Sequence, residues 1–183
     1  MQIDPPGTGL VMTRYDRPTV VLHWLTAGLV ITLFSLALVW GLLEHGTALR
    51  KELQYLHISL GILLAIVIII RIAWRATRGR HLASTATGIG KWAAKSMHLA
   101  FYFLLTLQIG SGFALRWAQA ESFTFFRLFT VEIPGSGNKT LAHTLEALHD
   151  TVGWVLIILV GLHAAAALIH HYLLRDDTLK RML

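Results

Sequence analysis

Four stretches of this chain run without a charged residue for as long as a helix needs to cross a bilayer: Thr19 to Leu43, Leu53 to Ile70, Ser96 to Leu115 and Thr151 to Leu174. Spanning the hydrocarbon core takes about 20 mostly apolar helical residues. A backbone that leaves water must satisfy its N–H and C=O groups within itself, which favours helices. The whole-chain balance agrees, with 55% hydrophobic and only 14% charged residues, outside the range of soluble domains. The sequence therefore predicts an all-α integral membrane four-helix bundle over 19–174, with an N-terminal arm over 1–18 and a C-terminal tail over 175–183. The first eleven residues, with Pro5, Pro6 and Gly7, read as disordered, and translation can start at Met1 or Met12. The first apolar run lacks an early small-residue cleavage site and reads as a retained helix, not a signal peptide.

Basic residues orient the bundle, because Lys and Arg collect on the cytoplasmic side of bacterial membrane proteins. Between the second and third runs lie Arg75, Arg78, Arg80, Lys91 and Lys95 without an acidic residue, whereas Arg50 and Lys51 in the first connection are balanced by Glu44 and Glu52. The second connection is thus expected inside, and four spans then make both termini cytoplasmic. Arg14 and Arg17 before the first run, and Arg175, Lys180 and Arg181 after the last, agree. Trp24, Trp74 and Trp92 fall near inner ends and Trp40, Trp117 and Trp154 near outer ends, as an interfacial belt requires. The net charge of +6 is a matter of topology, and no nucleic-acid partner is expected. In the outer loop, Pro134 to Asn138 read as irregular and Ser122 to Phe129 as a short amphipathic surface segment.

The absence of cysteine excludes disulfides, thiolate zinc sites, iron–sulfur clusters and thioether-linked haem. Ionisable groups inside spans are costly and mark function, so the depths of the histidines matter. His23 opens helix one from the inside and His57 opens helix two from the outside. His149 sits at the outer end of helix four. His163 follows 14 residues later, about 21 Å deeper at the helical rise and on nearly the same face. Two imidazoles on facing helices at one depth can hold an iron porphyrin between them as axial ligands. Here that arrangement is expected twice, with His23 and His163 for an inner haem and His57 and His149 for an outer one. Gly61 and Gly153, four residues after the outer ligands, would leave room for the ring. The rival reading of intramembrane histidines is a metal or proton pathway.

His98 enters helix three from the inside and competes with His23, or else serves in hydrogen bonding or toward a quinone. Arg71 lies 14 residues after His57 and can either pair with an inner propionate or snorkel to the surface. Arg14, Arg17 and Lys95 are weaker propionate candidates. His170 and His171 are expected at headgroups or propionates, and His45, His81 and His143 in solvated loops.

These residues resemble the bacterial cytochrome b561 family of four-helix di-haem membrane cytochromes. The likeness rests on Arg14-Tyr15 and His23-Trp24 at helix one, His57-Ile-Ser-x-Gly61 and Arg71 on helix two, and His98 on helix three. It continues through His149 with Gly153, Gly161-Leu-His163 with His170-His171-Tyr172, and the tail from Asp177 to Met182. The C-terminal stretch is similar to the superoxide oxidase branch, which passes electrons from superoxide to ubiquinone. The resemblance implies two haem b groups on the same four histidines, ubiquinone as acceptor, superoxide as small-molecule donor and a lipid-embedded place in the bacterial inner membrane. The alternatives are a haem-bearing anchor relaying electrons between quinone and a redox partner protein, and a small metal or proton transporter. Superoxide chemistry gains from a positive funnel. The outer loops set Arg50, Lys51, Arg116, Arg127 and Lys139 against Glu44, Glu52, Glu121, Glu132, Glu146 and Asp150, so a funnel would need a local cluster, for instance Lys139 with Arg116.

Overall fold

A computed structural model describes residues 14–79, 88–132 and 134–183, so the expectations for most of the N-terminal arm and for His81 lie outside the described residues. Four helices carry the chain: α1 (Arg17–Gly41), α2 (Ala48–Thr77), α3 (Gly88–Gln119) and α4 (Lys139–Tyr172). Each is long and apolar enough to cross a membrane.

Local chemistry sets most of the helix ends. Asp16 caps α1 by accepting from the Thr19 N–H at 3.2 Å, with Pro18 just inside, where its missing N–H costs nothing. Thr47 caps α2 through the Arg50 N–H at 3.4 Å, and the Arg50 guanidinium reaches back to the Trp40 and Leu43 carbonyls at 2.7 and 2.9 Å. One arginine thereby satisfies carbonyls that the end of α1 leaves open. Asn138 caps α4 through the Leu141 N–H at 3.0 Å. This cap lies well before Thr151, where the apolar run begins. Glu146 and Asp150 end the apolar run without ending the helix, because nothing between Asn138 and Thr151 breaks it. His143, expected in a loop, therefore lies within α4.

The segment Ser122 to Phe129 is also corrected. It forms a hairpin of β1 (Phe123–Phe125) and β2 (Phe129–Val131), with Phe123 opposite Val131 and Phe125 opposite Phe129. Phe126 and Arg127 at its turn take positive φ of 45° and 60°, a left-handed conformation costly for side-chain-bearing residues. Anchors from α2 hold it there. The Ser59 hydroxyl, buried at 2% exposure, accepts from the Phe126 N–H at 3.0 Å, and Arg127 pairs with Glu52. Alternating Phe and Thr favour a strand, whereas an amphipathic reading weighs only which residues are apolar.

The bundle is built from two helical hairpins. α1 packs along α2 and α3 along α4, while the α1–α4 and α2–α3 seams touch sparsely. At mid-depth Leu29, Leu33, Leu64, Val67, Ile68, Leu105, Val152 and Leu156 form one apolar core drawn from all four helices. Both ends of the described chain meet at the end of the bundle where α2 finishes. There the Trp74 indole donates to Asp16 at 2.7 Å, the Trp24 indole donates to the Met182 carbonyl at 2.8 Å, and the Tyr15 N–H donates to the Arg181 carbonyl at 3.2 Å. The tail folds back through His170, whose Nδ1 lies 2.5 Å from Asp176 and holds that carboxyl down to about 2.

Asp16 thus serves as a helix cap and as an acceptor between helices. Asp16→Ala is expected to cost about 2 kcal/mol and Trp74→Phe about half of that. Unfolding midpoints of the purified variants in detergent check the order, and equal midpoints for Asp16→Ala and wild type would refute it.

Candidate cofactor site

The four histidines chosen by depth meet in twos between the two helical hairpins. His23 on α1 and His163 on α4 have ring centroids 6.3 Å apart, with planes at 68°. His57 on α2 and His149 on α4 stand 6.2 Å apart at 70°. Each pair bridges one helical hairpin to the other, and the mid-depth core separates the two layers. Among the described residues no cluster of three His, Cys, Asp or Glu side chains is arranged to hold a bare metal ion.

The outer pair has its protons arranged. His57 Nδ1 lies 3.0 Å from the Leu33 carbonyl, which can only accept, so Nδ1 carries the hydrogen and Nε2 keeps a free lone pair. His149 Nδ1 lies 3.1 Å from Ser111 Oγ, whose own hydrogen goes to the Gln108 carbonyl at 3.0 Å. The Trp40 ring packs edge-on against His57 at 4.8 Å.

The inner pair differs. Arg71 Nη2 lies 3.1 Å from His23 Nδ1, and a guanidinium can only donate, so Nδ1 is the acceptor here. A neutral His23 in this state carries its hydrogen on Nε2. Arg71 also sits over the Tyr102 ring, 5.7 Å from its centroid. His98, the competitor for the inner position, stands 6.0 Å from His163, as near as His23. Its Nδ1 faces the Ala94 carbonyl of its own helix at 2.7 Å, leaving Nε2 free, and its side chain is exposed. The structure thus brings His23, His98, His163 and Arg71 to one inner layer.

The small residues divide by what surrounds them. A Cβ at Gly61 would meet nothing within 4 Å although the residue is half-buried, so open space lies beside it. One at Gly153 would touch the Gln108 amide at 3.4 Å. Beside the histidine pairs the close approach is at Gly112 on α3, where a Cβ would stand 3.1 Å from His149 Cε1. Sequence reasoning missed Gly112, Ser111 and Gln108. The available signal was polar and small residues inside an apolar span.

The cations at the β-hairpin end of the bundle are mostly engaged. Arg116 pairs with Glu121 at 2.7 Å, Arg127 pairs with Glu52, and Arg50 is committed to the end of α1. The Arg116 half of the expected cluster is therefore neutralised. Of the other candidates, Lys95 lies over the Trp92 ring, 5.6 Å from its centroid, and His171 Nδ1 is buried without a hydrogen-bond partner.

The chain is similar to several known proteins along nearly its whole length. It is 32% identical to cytochrome b561 homolog 2 of Escherichia coli K12 over 171 residues, covering 93% of this chain and 91% of that protein. It is 27% identical over 182 residues to a Yersinia pestis protein named probable superoxide oxidase CybB, covering 93% and 96%. It is likewise 27% identical over 175 residues to cytochrome b562 of Cereibacter sphaeroides, covering 92% and 94%. The prokaryotic cytochrome b561 family matches residues 14–183. With four spans, histidines meeting inside them and this match, the chain belongs to the prokaryotic cytochrome b561 family, haem b-binding electron-transfer proteins, and is a multi-pass protein of the bacterial inner membrane.

Proposed function

We propose that this chain holds two haem b groups, one between His23 and His163 and one between His57 and His149, and exchanges electrons with the quinone pool. The observation that carries the reading is the spacing of the two pairs. Two imidazoles that each gave one nitrogen to a single iron, with metal–nitrogen bonds of about 2 Å, would have ring centroids about 6 Å apart. The centroid distances of 6.2 and 6.3 Å match that requirement. The sparse seams and the open space beside Gly61 give a flat macrocycle somewhere to lie. Haem b, when bound, supplies a one-electron couple, and two axial imidazoles leave its iron no open position, which suits outer-sphere transfer.

The protein's own contribution is orientation and exclusion of water. Leu33 and Ser111 engage Nδ1 of His57 and His149 and so would leave their Nε2 atoms to a metal, while the aliphatic core lies between the two layers. At the inner layer Arg71 must release His23 Nδ1 before that imidazole can present Nε2. A propionate is the natural new partner for the guanidinium. The basic α2–α3 connection and the joined termini support a cytoplasmic inner end.

For the donor, the likeness to the Yersinia protein supports superoxide, with ubiquinone as acceptor. Two superoxide ions would each give one electron, and one quinone with two protons would become quinol. The engagement of Arg116, Arg127 and Arg50 favours a second reading, relay from a redox partner protein to quinone, because it leaves less free positive charge to gather a small anion.

Three outcomes are expected. Rapid mixing of the purified protein with superoxide and oxidised ubiquinone reduces the quinone without a partner; no quinol above the protein-free control would leave the relay. His57→Ala and His149→Ala each abolish the same haem signal in reduced-minus-oxidised spectra, and His23→Ala and His163→Ala the other. Loss of the inner signal in His98→Ala with its retention in His23→Ala would reassign the inner pair. Finally, Gly112→Ala lowers occupancy of the outer haem several-fold by displacing His149, whereas Gly161→Ala, where a Cβ meets nothing within 4 Å, leaves the haem content unchanged.

A further inference from the structure

We propose that Ser111 is a positioning residue for the outer electron-transfer site, fixing the tautomer and basicity of His149. The inference rests on the reading of His149 as an axial ligand and goes beyond it, because it names what sets the electronic character of that ligand.

Ser111 sits on α3, facing α4, at 4% exposure. Its hydroxyl has one hydrogen, and the Gln108 carbonyl at 3.0 Å takes it. A lone pair then faces His149 Nδ1 at 3.1 Å. Both contacts are satisfied together only when Nδ1 carries the imidazole hydrogen. In that state Nε2 is deprotonated, the form in which imidazole binds a metal. Gly112, the next residue, lets the ring lie against α3, so consecutive residues supply the hydrogen-bond acceptor and the space.

A hydrogen bond from the distal ring nitrogen makes an imidazole a stronger donor to its metal. A stronger donor stabilises the ferric state over the ferrous one and lowers the midpoint potential. The other outer ligand, His57, is held by a main-chain carbonyl that no side-chain change removes. Ser111 is therefore the side chain in the outer layer that tunes the couple. Among the described residues, the neighbours found for His163 in the inner layer are rings and not such a hydroxyl, with Phe101 5.4 Å away and His98 6.0 Å away. The effect is thus confined to one haem. There is also room to vary the residue, because Ser111 lines a groove of about 420 Å³ between α3 and α4, with Thr106, Gly110 and Leu148 on its walls. An added methyl can enter that groove.

The test is redox titration and low-temperature electron paramagnetic resonance of the holoprotein with Ser111→Ala, Ser111→Thr and His149→Ala. In Ser111→Ala both haems remain bound, the midpoint potential of one moves upward, its low-spin g-values change and the other haem is unaffected. Ser111→Thr restores the wild-type potential and g-values. Unchanged potentials and g-values in Ser111→Ala, together with loss of one signal in His149→Ala, would overturn the role of Ser111 while keeping His149 as a ligand. Retention of both low-spin signals in His149→Ala would overturn the ligand reading and the role of Ser111 with it. An equal shift of both haems in Ser111→Ala would point to a general structural disturbance and also refute the proposal.

Discussion

A neutral imidazole carries one donor and one acceptor, and inside a bilayer neither can be left to water. A histidine buried within these spans is therefore stabilised by partners at its ring nitrogens. At the outer layer the partners of His57 and His149 are oxygens that draw the hydrogen to Nδ1. That leaves an Nε2 lone pair on each ring, the kind of donor a metal centre would use. At the inner layer a guanidinium occupies Nδ1 of His23 and reverses the polarity. The two layers are alike in spacing and unlike in preparation.

The helix packing follows from the same need. A bundle with four equally tight seams would have no slot between facing imidazoles. Here α1 with α2, and α3 with α4, make close hairpins, and the seams between hairpins stay loose. Aliphatic side chains from all four helices close the bundle at mid-depth only, between the two histidine layers. At the outer end the β-hairpin is tied down by Ser59 and Glu52 in spite of left-handed residues at its turn. At the other end Asp16, Trp74, Trp24 and the tail stitch the hairpins together.

The spans were legible in the sequence because hydropathy reports where the chain leaves water, and the meeting of His23 with His163 and of His57 with His149 because helical rise converts spacing into depth. What hydropathy does not report is where a helix stops. The charged first third of α4 looked like loop, since Glu146 and Asp150 mark the membrane surface and not a break in the hydrogen-bond ladder. Rotation about a helix axis is equally silent in a single sequence. Whether Ser111 or its neighbours on α3 turn toward His149 depends on how α3 packs on α4. The same holds for His98, whose depth was readable and whose equal approach to His163 was not.

In the proposed function each layer holds one low-spin haem between two imidazoles. The decisive measurement is electron paramagnetic resonance of the oxidised, purified wild-type protein, integrated against protein concentration. Two low-spin ferric signals typical of bis-imidazole ligation, together close to two spins per chain, are the expected result. A single spin per chain, or a high-spin signal from iron with an open axial position, would contradict it.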